Sequence, residues 1–182
     1  MNETLSNITN RRSVLSFAER SLPRETLEQI VAAGIFAPSA NNQQPLHFTV
    51  ITRKELIDSI SAGVKNSLRE SDFEWARGFG ANDGFHVFYH APAVILVSMS
   101  KTAMMPEVDA AAAIENMLIA AESLGVASCW IGLTAFHFRD TEHNLELGVP
   151  FSHRPFYAVA LGYPNGAKPA APARKESANW IE

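Results

Sequence analysis

Cysteine is nearly missing from this chain: Cys129 stands alone among 182 residues, which rules out an internal disulfide and fits a reducing compartment. No apolar run reaches the roughly 18 residues that a membrane-spanning helix needs. The N-terminus also lacks the basic-then-apolar order of a secretion signal, so a cytoplasmic location is expected. A cationic surplus is missing too. With 15 Lys and Arg against 19 Asp and Glu, the formal charge of −4 leaves no electrostatic footprint for nucleic acid. No internal repeat is present, and the one biased stretch is the Ala/Pro-rich segment from Ala167 to Ala173.

Several chemistries lack their residues. No Gly-x-Ser-x-Gly elbow exists to support a serine hydrolase. His137, His143 and His153 lack the i, i+4 spacing of a helical metal pair, and no cysteine cluster helps them, so no metal is expected. Gly78-Phe79-Gly80-Ala81-Asn82-Asp83-Gly84 has one residue too many for a dinucleotide fingerprint and reads as a flexible loop. Cys129, with no base nearby in sequence, reads as a small buried hydrophobe.

What is present can bury a full core: 47% of the residues are hydrophobic, and a single domain over 1–182 is the natural count. Ser21-Leu22-Pro23 opens a helix, with Pro23 in the first turn and Ser21 or a neighbour as cap. Leu27, Ile30, Val31, Gly34 and Ile35 continue it at helical spacing until Pro38. Leu46 to Thr52 reads as a strand with Phe48 and Val50 on one face, and Arg53 to Ala62 as a short helix. Ala93 to Ser98 is a continuous apolar run of strand length, hence a buried central strand, and Ala127 to Leu133 and Tyr157 to Leu161 read the same way. The alternation of helix and strand leaves an α/β or α+β sandwich around one sheet.

The segment from Asp109 to Leu124 is apolar nearly all round. Ala110, Ala113, Ile114, Met117, Leu118 and Ala121 make one stripe, and Ala111, Ala112, Ile119 and Ala120 cover much of the rest. Such a helix must be covered on more than one side. It is either a central core helix or one whose outer face meets a second subunit.

Ala37-Pro38-Ser39-Ala40-Asn41-Asn42-Gln43-Gln44-Pro45 is a polar, uncharged run between a helical pattern and a strand-like one. Its four carboxamides supply donors and acceptors without charge, which suits a neutral heterocycle with several polar edges better than a phosphate or a metal. A turn that satisfies its own backbone needs one or two such residues, not four. Upstream, Asn10-Arg11-Arg12-Ser13 supplies a fork of cationic donors for an anionic group. A heterocycle carrying a phosphate is a mononucleotide, and the pairing points to a flavin.

On these residues the chain resembles the nitroreductase family of FMN-dependent oxidoreductases. The likeness is carried by NRRSVLSF, by APSANNQQPLHF, by Gly-Val-Ala-Ser-Cys-Trp-Ile-Gly from Gly125, by Leu-Gly-Tyr-Pro at Leu161 and by Ala-Arg-Lys-Glu at Ala173, in the family's order. The resemblance implies an α+β fold, a central β-sheet flanked by helices in three layers, in a homodimer with flavin at the subunit interface and the Asp109 to Leu124 helix buried there. It implies FMN as cofactor, with Arg11, Arg12 and Ser13 at its phosphate or ribityl end, joined by Arg174 with Lys175 beside it. Asn42 and Gln44 are implied at the ring edge and ribityl hydroxyls, with Pro38, Ser39 and Ala40 packing nearby. Trp130, Ile131, Gly132 and Leu133 are implied to turn backbone N–H groups toward N5 and the C4 carbonyl of the flavin.

The implied activity is ping-pong: NAD(P)H gives hydride to the flavin, and a nitroaromatic, quinone or similar electron-poor acceptor follows. No side chain is expected to act as a catalytic acid or base. Two departures stand out. Leu15 occupies a position where the family usually carries Arg or Lys near the flavin N1, with Arg12 or Lys65 as possible substitutes, and Leu46 replaces the customary Trp after Gln44-Pro45. Alternatives are a flavin carrier or redox sensor without NAD(P)H turnover, or another flavin chemistry of the same superfamily.

Overall fold

The structure is a computed structural model that describes residues 1–138, 146–175 and 177–182. Its frame is a four-stranded antiparallel sheet with the order β1-β2-β4-β3, formed by β1 (Leu46–Ile51), β2 (Ala93–Ser100), β3 (Ala127–Ile131) and β4 (His153–Gly162). The antiparallel pairing settles the sandwich as α+β.

The three-layer arrangement follows from strand parity. Along β2, Ala93, Ile95, Val97 and Met99 enter one core with α2 (Arg24–Ile35) and α5 (Pro106–Ser123). Val94 and Leu96 enter a second core with α3 (Lys54–Arg69), α4 (Glu74–Ala81) and α6 (Ala135–Phe138). Both strand faces are covered, which is why β2 reads as an unbroken apolar run. α1 (Glu3–Asn10) leads into an extended segment laid beside the sheet, where Ser13 makes a parallel bridge to Ser128 and Phe17 an antiparallel bridge to Pro164.

Three expectations need correction. The short helix at Arg53 to Ala62 instead runs to Arg69, because Val64 and Leu68 extend its buried stripe. Gly63 is tolerated inside it because a Cβ there would lie 2.7 Å from the His137 ring. Gly78 to Ala81 belong to α4 and are not a loop. Gly80 has a packing reason, since a Cβ would sit 2.6 Å from the Arg69 backbone nitrogen and 2.9 Å from the Lys65 carbonyl oxygen. At α2, Pro23 is itself the N-cap, and no side chain caps the first turn.

α5 begins three residues earlier than the sequence pattern, with Pro106 in its first turn. Its stripe of Ala110, Ala113, Ile114, Met117, Leu118 and Ala121 is buried, whereas Ala111, Ala112, Ile119 and Ala120 are only half-buried in the single chain. Gly34 of α2 lets the two helices approach closely, with Met117 Cγ 2.9 Å from where a Cβ would stand. Among the described residues, no helix is long and apolar enough to cross a membrane.

Candidate functional site

Arg11 and Arg12 follow directly on α1, whose last turn they help to close. The Arg11 N–H donates to Asn7 O, and Arg12 Nη1 donates to the carbonyls of Thr9 and Arg11 at 2.8 and 2.7 Å. A guanidinium on the last carbonyls of a helix is favoured by hydrogen bonding and by the helix dipole. Arg12 thus turns part of its fork back onto its own helix. The Arg11 side chain is 21% exposed, with Nε 3.4 Å from Glu115 Oε1 on α5, an ion-pair distance without hydrogen-bond geometry. The Nε atoms of both arginines are buried and have no hydrogen-bond partner.

Both arginines line a cleft of about 430 Å³ with Ser13, Pro169, Ala170, Pro172 and Arg174. Residues more than 150 positions apart meet there because the Ala/Pro segment folds back across the N-terminal element. A long-range ion pair holds it: Lys168 Nζ donates to both carboxylate oxygens of Glu122 on α5, at 2.6 and 2.7 Å. Lys175 does not line the cleft. Glu176, the last residue of that motif, lies outside the described residues, as does His143.

Ser13 reaches the next part of the site. Val14 N–H donates to Ser128 O at 3.0 Å, so the segment runs alongside β3. Burial pushes the Cys129 thiol above its ordinary value, while a hydrogen bond from Ser13 and the charge of Arg11 pull it back. Cys129 is buried, as its small apolar character suggested. Beyond it, Trp130 and Ile131 complete β3, and the chain turns at Gly132 and Leu133. Among the described residues the N–H groups of Gly132 and Leu133 donate to no backbone carbonyl. A Cβ on Gly132 would meet no atom within 4 Å, so nothing in this chain's own packing calls for a glycine. Thr134 clamps the turn, its buried hydroxyl within hydrogen-bond distance of both Ile131 O and Phe156 O. Leu15 is 51% exposed. Of the two possible substitute cations, Arg12 Nη1 is bonded to α1, and Lys65 Nζ donates to Asp83 O.

The carboxamide run forms a compact turn at residues 40–44. Asn41, Asn42 and Gln44 all have left-handed φ, at 55°, 53° and 49°. Asn tolerates that region and Gln does so less readily, so the turn must be held from outside. Ser39 Oγ accepts the Gln44 N–H, Asp109 Oδ1 accepts the Ala40 N–H, and Gln43 Oε1 accepts the Met104 N–H, each at 2.9 Å. Gln44 Nε2 donates to Asn42 Oδ1 at 3.1 Å. Part of the carboxamide set is therefore spent on the turn itself, but Asn42 and Gln44 remain exposed. Pro38, Ser39 and Gln44 line a small cleft of about 120 Å³ with Leu46 and Phe48, and it shares no residue with the arginine cleft. The expected flavin contacts thus fall into two groups that line different clefts.

A second constellation has no counterpart in the sequence reading. Asp58, His86 and His90 bring ligand atoms within 4.8 Å of one another, and His86 and His90 do have i, i+4 spacing, although they lie in a turn. The hydrogen bonds oppose coordination. His86 Nδ1 accepts from the N–H groups of Phe88 and His90, both at 3.2 Å. The neutral ring therefore keeps its proton on Nε2, which faces Asp58 Oδ1 at 3.2 Å and is the atom a metal would need.

Comparison with known proteins bears on the family and the fold. The nitroreductase family model matches residues 8–163. A Bacteroides fragilis nitroreductase with bound FMN superposes with a TM-score of 0.92 at 34% identity, covering 100% of this chain and 99% of that one. A Desulfitobacterium hafniense nitroreductase with bound FMN gives 0.90 at 30% identity, with both chains fully covered. A protein of Archaeoglobus fulgidus, provisionally named an NADH dehydrogenase/NAD(P)H nitroreductase, is 33% identical over 173 residues, which span 92% of this chain and 89% of that protein.

Proposed function

The chain belongs to the nitroreductase family, and on that premise we propose that it is an FMN-dependent oxidoreductase using NAD(P)H to reduce nitroaromatic, quinone or similar electron-poor acceptors in a ping-pong cycle. The observation that carries the reading is the meeting of three arginines, Arg11, Arg12 and Arg174, on one cleft. That donor set fits a terminal phosphate, which favours FMN over FAD.

FMN, when bound, supplies the two-electron chemistry. The chain's own residues bind and orient it. Arg11, Arg12, Ser13 and Arg174 hold the phosphate or ribityl end, with Lys175 adding charge from outside the cleft. Gly132 and Leu133 offer backbone donors at an open surface, where a side chain at position 132 would stand in the way of a planar ring. Trp130 and Ile131 set the position of those donors, and Leu15 lies on the same N-terminal segment as the arginines. Asn42 and Gln44, with Pro38, Ser39 and Ala40, supply neutral contacts. No side chain is required as a general acid or base.

Homodimerisation completes this reading. The two contact groups are separate within one chain, and the half-buried side of α5 carries Ala111, Ala112, Ile119 and Ala120. A second copy laid on that side would bring the carboxamide turn of one subunit toward the arginine cleft of the other.

The test is the absorption spectrum of purified protein, recorded before and after anaerobic NADPH or NADH, with sedimentation of the same sample. A yellow dimer with one FMN per subunit, bleached by nicotinamide and recoloured by a quinone, is expected. A colourless protein that takes up no added FMN would sink the reading. Bound flavin that neither nucleotide bleaches would make it a flavin carrier instead, a role to which the missing cation at Leu15 lends some support.

A further inference from the structure

We propose that Asp109 is a positioning residue for the flavin: by accepting the Ala40 N–H, its buried carboxylate fixes the left-handed turn that presents Asn42 and Gln44. The inference rests on reading that turn as a flavin contact.

Asp109 lies in the first turn of α5, 69 residues from Ala40, and is only 4% exposed. An acidic residue there is ordinarily explained by its own helix, through capping or the dipole. Here that explanation is incomplete. The N-cap is Met105, no side chain caps the helix, and Asp109 Oδ1 is spent on the Ala40 N–H at 2.9 Å. Its second oxygen, Oδ2, is buried with no hydrogen-bond partner. A half-satisfied buried carboxylate is costly, and an apolar residue of similar size would pack the first turn of α5 with less penalty. What the carboxylate supplies is an acceptor at one backbone N–H of a turn in which three of four residues from Asn41 to Gln44 are left-handed.

Among the described residues the turn has two long-range side-chain fastenings, and both lie at the same end of α5: Asp109 to Ala40, and the Met104 N–H to Gln43 Oε1. Ser39 Oγ closes it locally on the Gln44 N–H. Without Asp109, the Ala40 end is released while the Gln43 end stays tied. The expected consequence is a turn still attached to the protein but with Asn42 and Gln44 free to leave the orientation seen here. The loss should therefore fall on FMN affinity more than on folding or on the chemical step.

The experiment titrates FMN into apo-protein by fluorescence quenching for wild type, Asp109→Ala and Asp109→Asn, and compares melting temperatures without flavin. Asp109→Ala is expected to bind FMN at least about tenfold more weakly. Asp109→Asn keeps a carbonyl acceptor and should stay within about threefold of wild type. An alanine variant that binds FMN as tightly as wild type, or an asparagine variant as weak as the alanine one, would overturn the proposal. Amide exchange in apo wild type tests the anchor even where a variant does not fold: the Ala40 N–H should be protected relative to that of Asn41, and equally fast exchange at both would overturn it. If wild type itself takes up no FMN, the proposed function fails. If wild type binds and the variants do not differ, only the role of Asp109 fails.

Discussion

Removing Arg11 and removing Arg174 should weaken FMN binding by different amounts, and the structure gives the order. Arg11 is pre-positioned: its side chain is 21% exposed, it follows a closed helix end, and its Nε is buried without a hydrogen bond. A charge-assisted hydrogen bond to phosphate is typically worth about 1.5–3 kcal/mol, or roughly 10- to 150-fold in affinity. Glu115, 3.4 Å away, repels a phosphate, but it is half exposed and therefore screened, so Arg11→Ala should fall within that range. Arg174 is exposed and sits on a segment without regular secondary structure, tied down by the Lys168–Glu122 pair six residues earlier. Ordering it on binding offsets part of its gain, so Arg174→Ala should cost about 1 kcal/mol, near fivefold. Both arginines would act on one phosphate, so the double variant should lose less than the sum. Fluorescence titration of apo-protein with FMN measures each loss, and riboflavin, which lacks the phosphate, is the control. Equal losses for FMN and riboflavin, or a larger effect from Arg174 than from Arg11, would refute this account of the cleft.

Three further outcomes are expected. Leu15→Arg should raise the flavin midpoint potential, because it adds a cation on the segment that carries Arg11 and Arg12; Coulomb attraction of about 4 kcal/mol at 4 Å and an effective dielectric near 20 is an upper guide, and an unchanged or lower potential in a dye-equilibrated anaerobic titration would place Leu15 away from the ring or show that Arg12 or Lys65 already supplies the charge. Within α4, Gly80→Ala should destabilise by about 1–3 kcal/mol because the new methyl meets backbone, whereas Gly78→Ala, which meets nothing within 4 Å, should stabilise by up to about 1 kcal/mol; denaturant melts yielding the same sign for both would contradict the packing. Burial, followed by the charge of His90, pushes His86 below its ordinary 6.5, with the Asp58 hydrogen bond opposing. The unfolded chain then binds more protons than the native one as pH falls below about 6.5, so stability should drop from there and level off below the folded value. Asn at position 86 can take the Phe88 and His90 N–H groups without titrating, so His86→Asn should flatten melting temperature against pH between 7 and 5; an equally steep variant would remove His86 as the cause.

The helix α3 (Lys54–Arg69) and the glycines of α4 show where local reading stops. Gly63 and Gly80 look like breakers in sequence, since glycine lowers helix propensity. Each is held in a helix because a remote group occupies the space of its missing side chain: the His137 ring at Gly63, and the α3 backbone at Gly80. Propensity is a property of neighbours in sequence, and these contacts are not. The same limit applies to Lys168 and Glu122, and to His86 with Asp58 and His90, whose meaning depends on which ring nitrogen the turn occupies.

By itself the sequence determined the strands, the near all-round apolar character of α5, the carboxamide turn between two prolines and the paired arginines after α1. These are local patterns of polarity and backbone preference, and such patterns survive without a partner. Only the tertiary structure decided that the sheet is antiparallel with two cores, that Arg174 returns to Arg11 and Arg12, and that Asp109 holds the turn at Ala40. Contacts as far apart in sequence as Ala40 and Asp109, or Arg11 and Arg174, depend on how helices and strands fill space around a shared sheet, and neither spacing nor composition encodes that geometry.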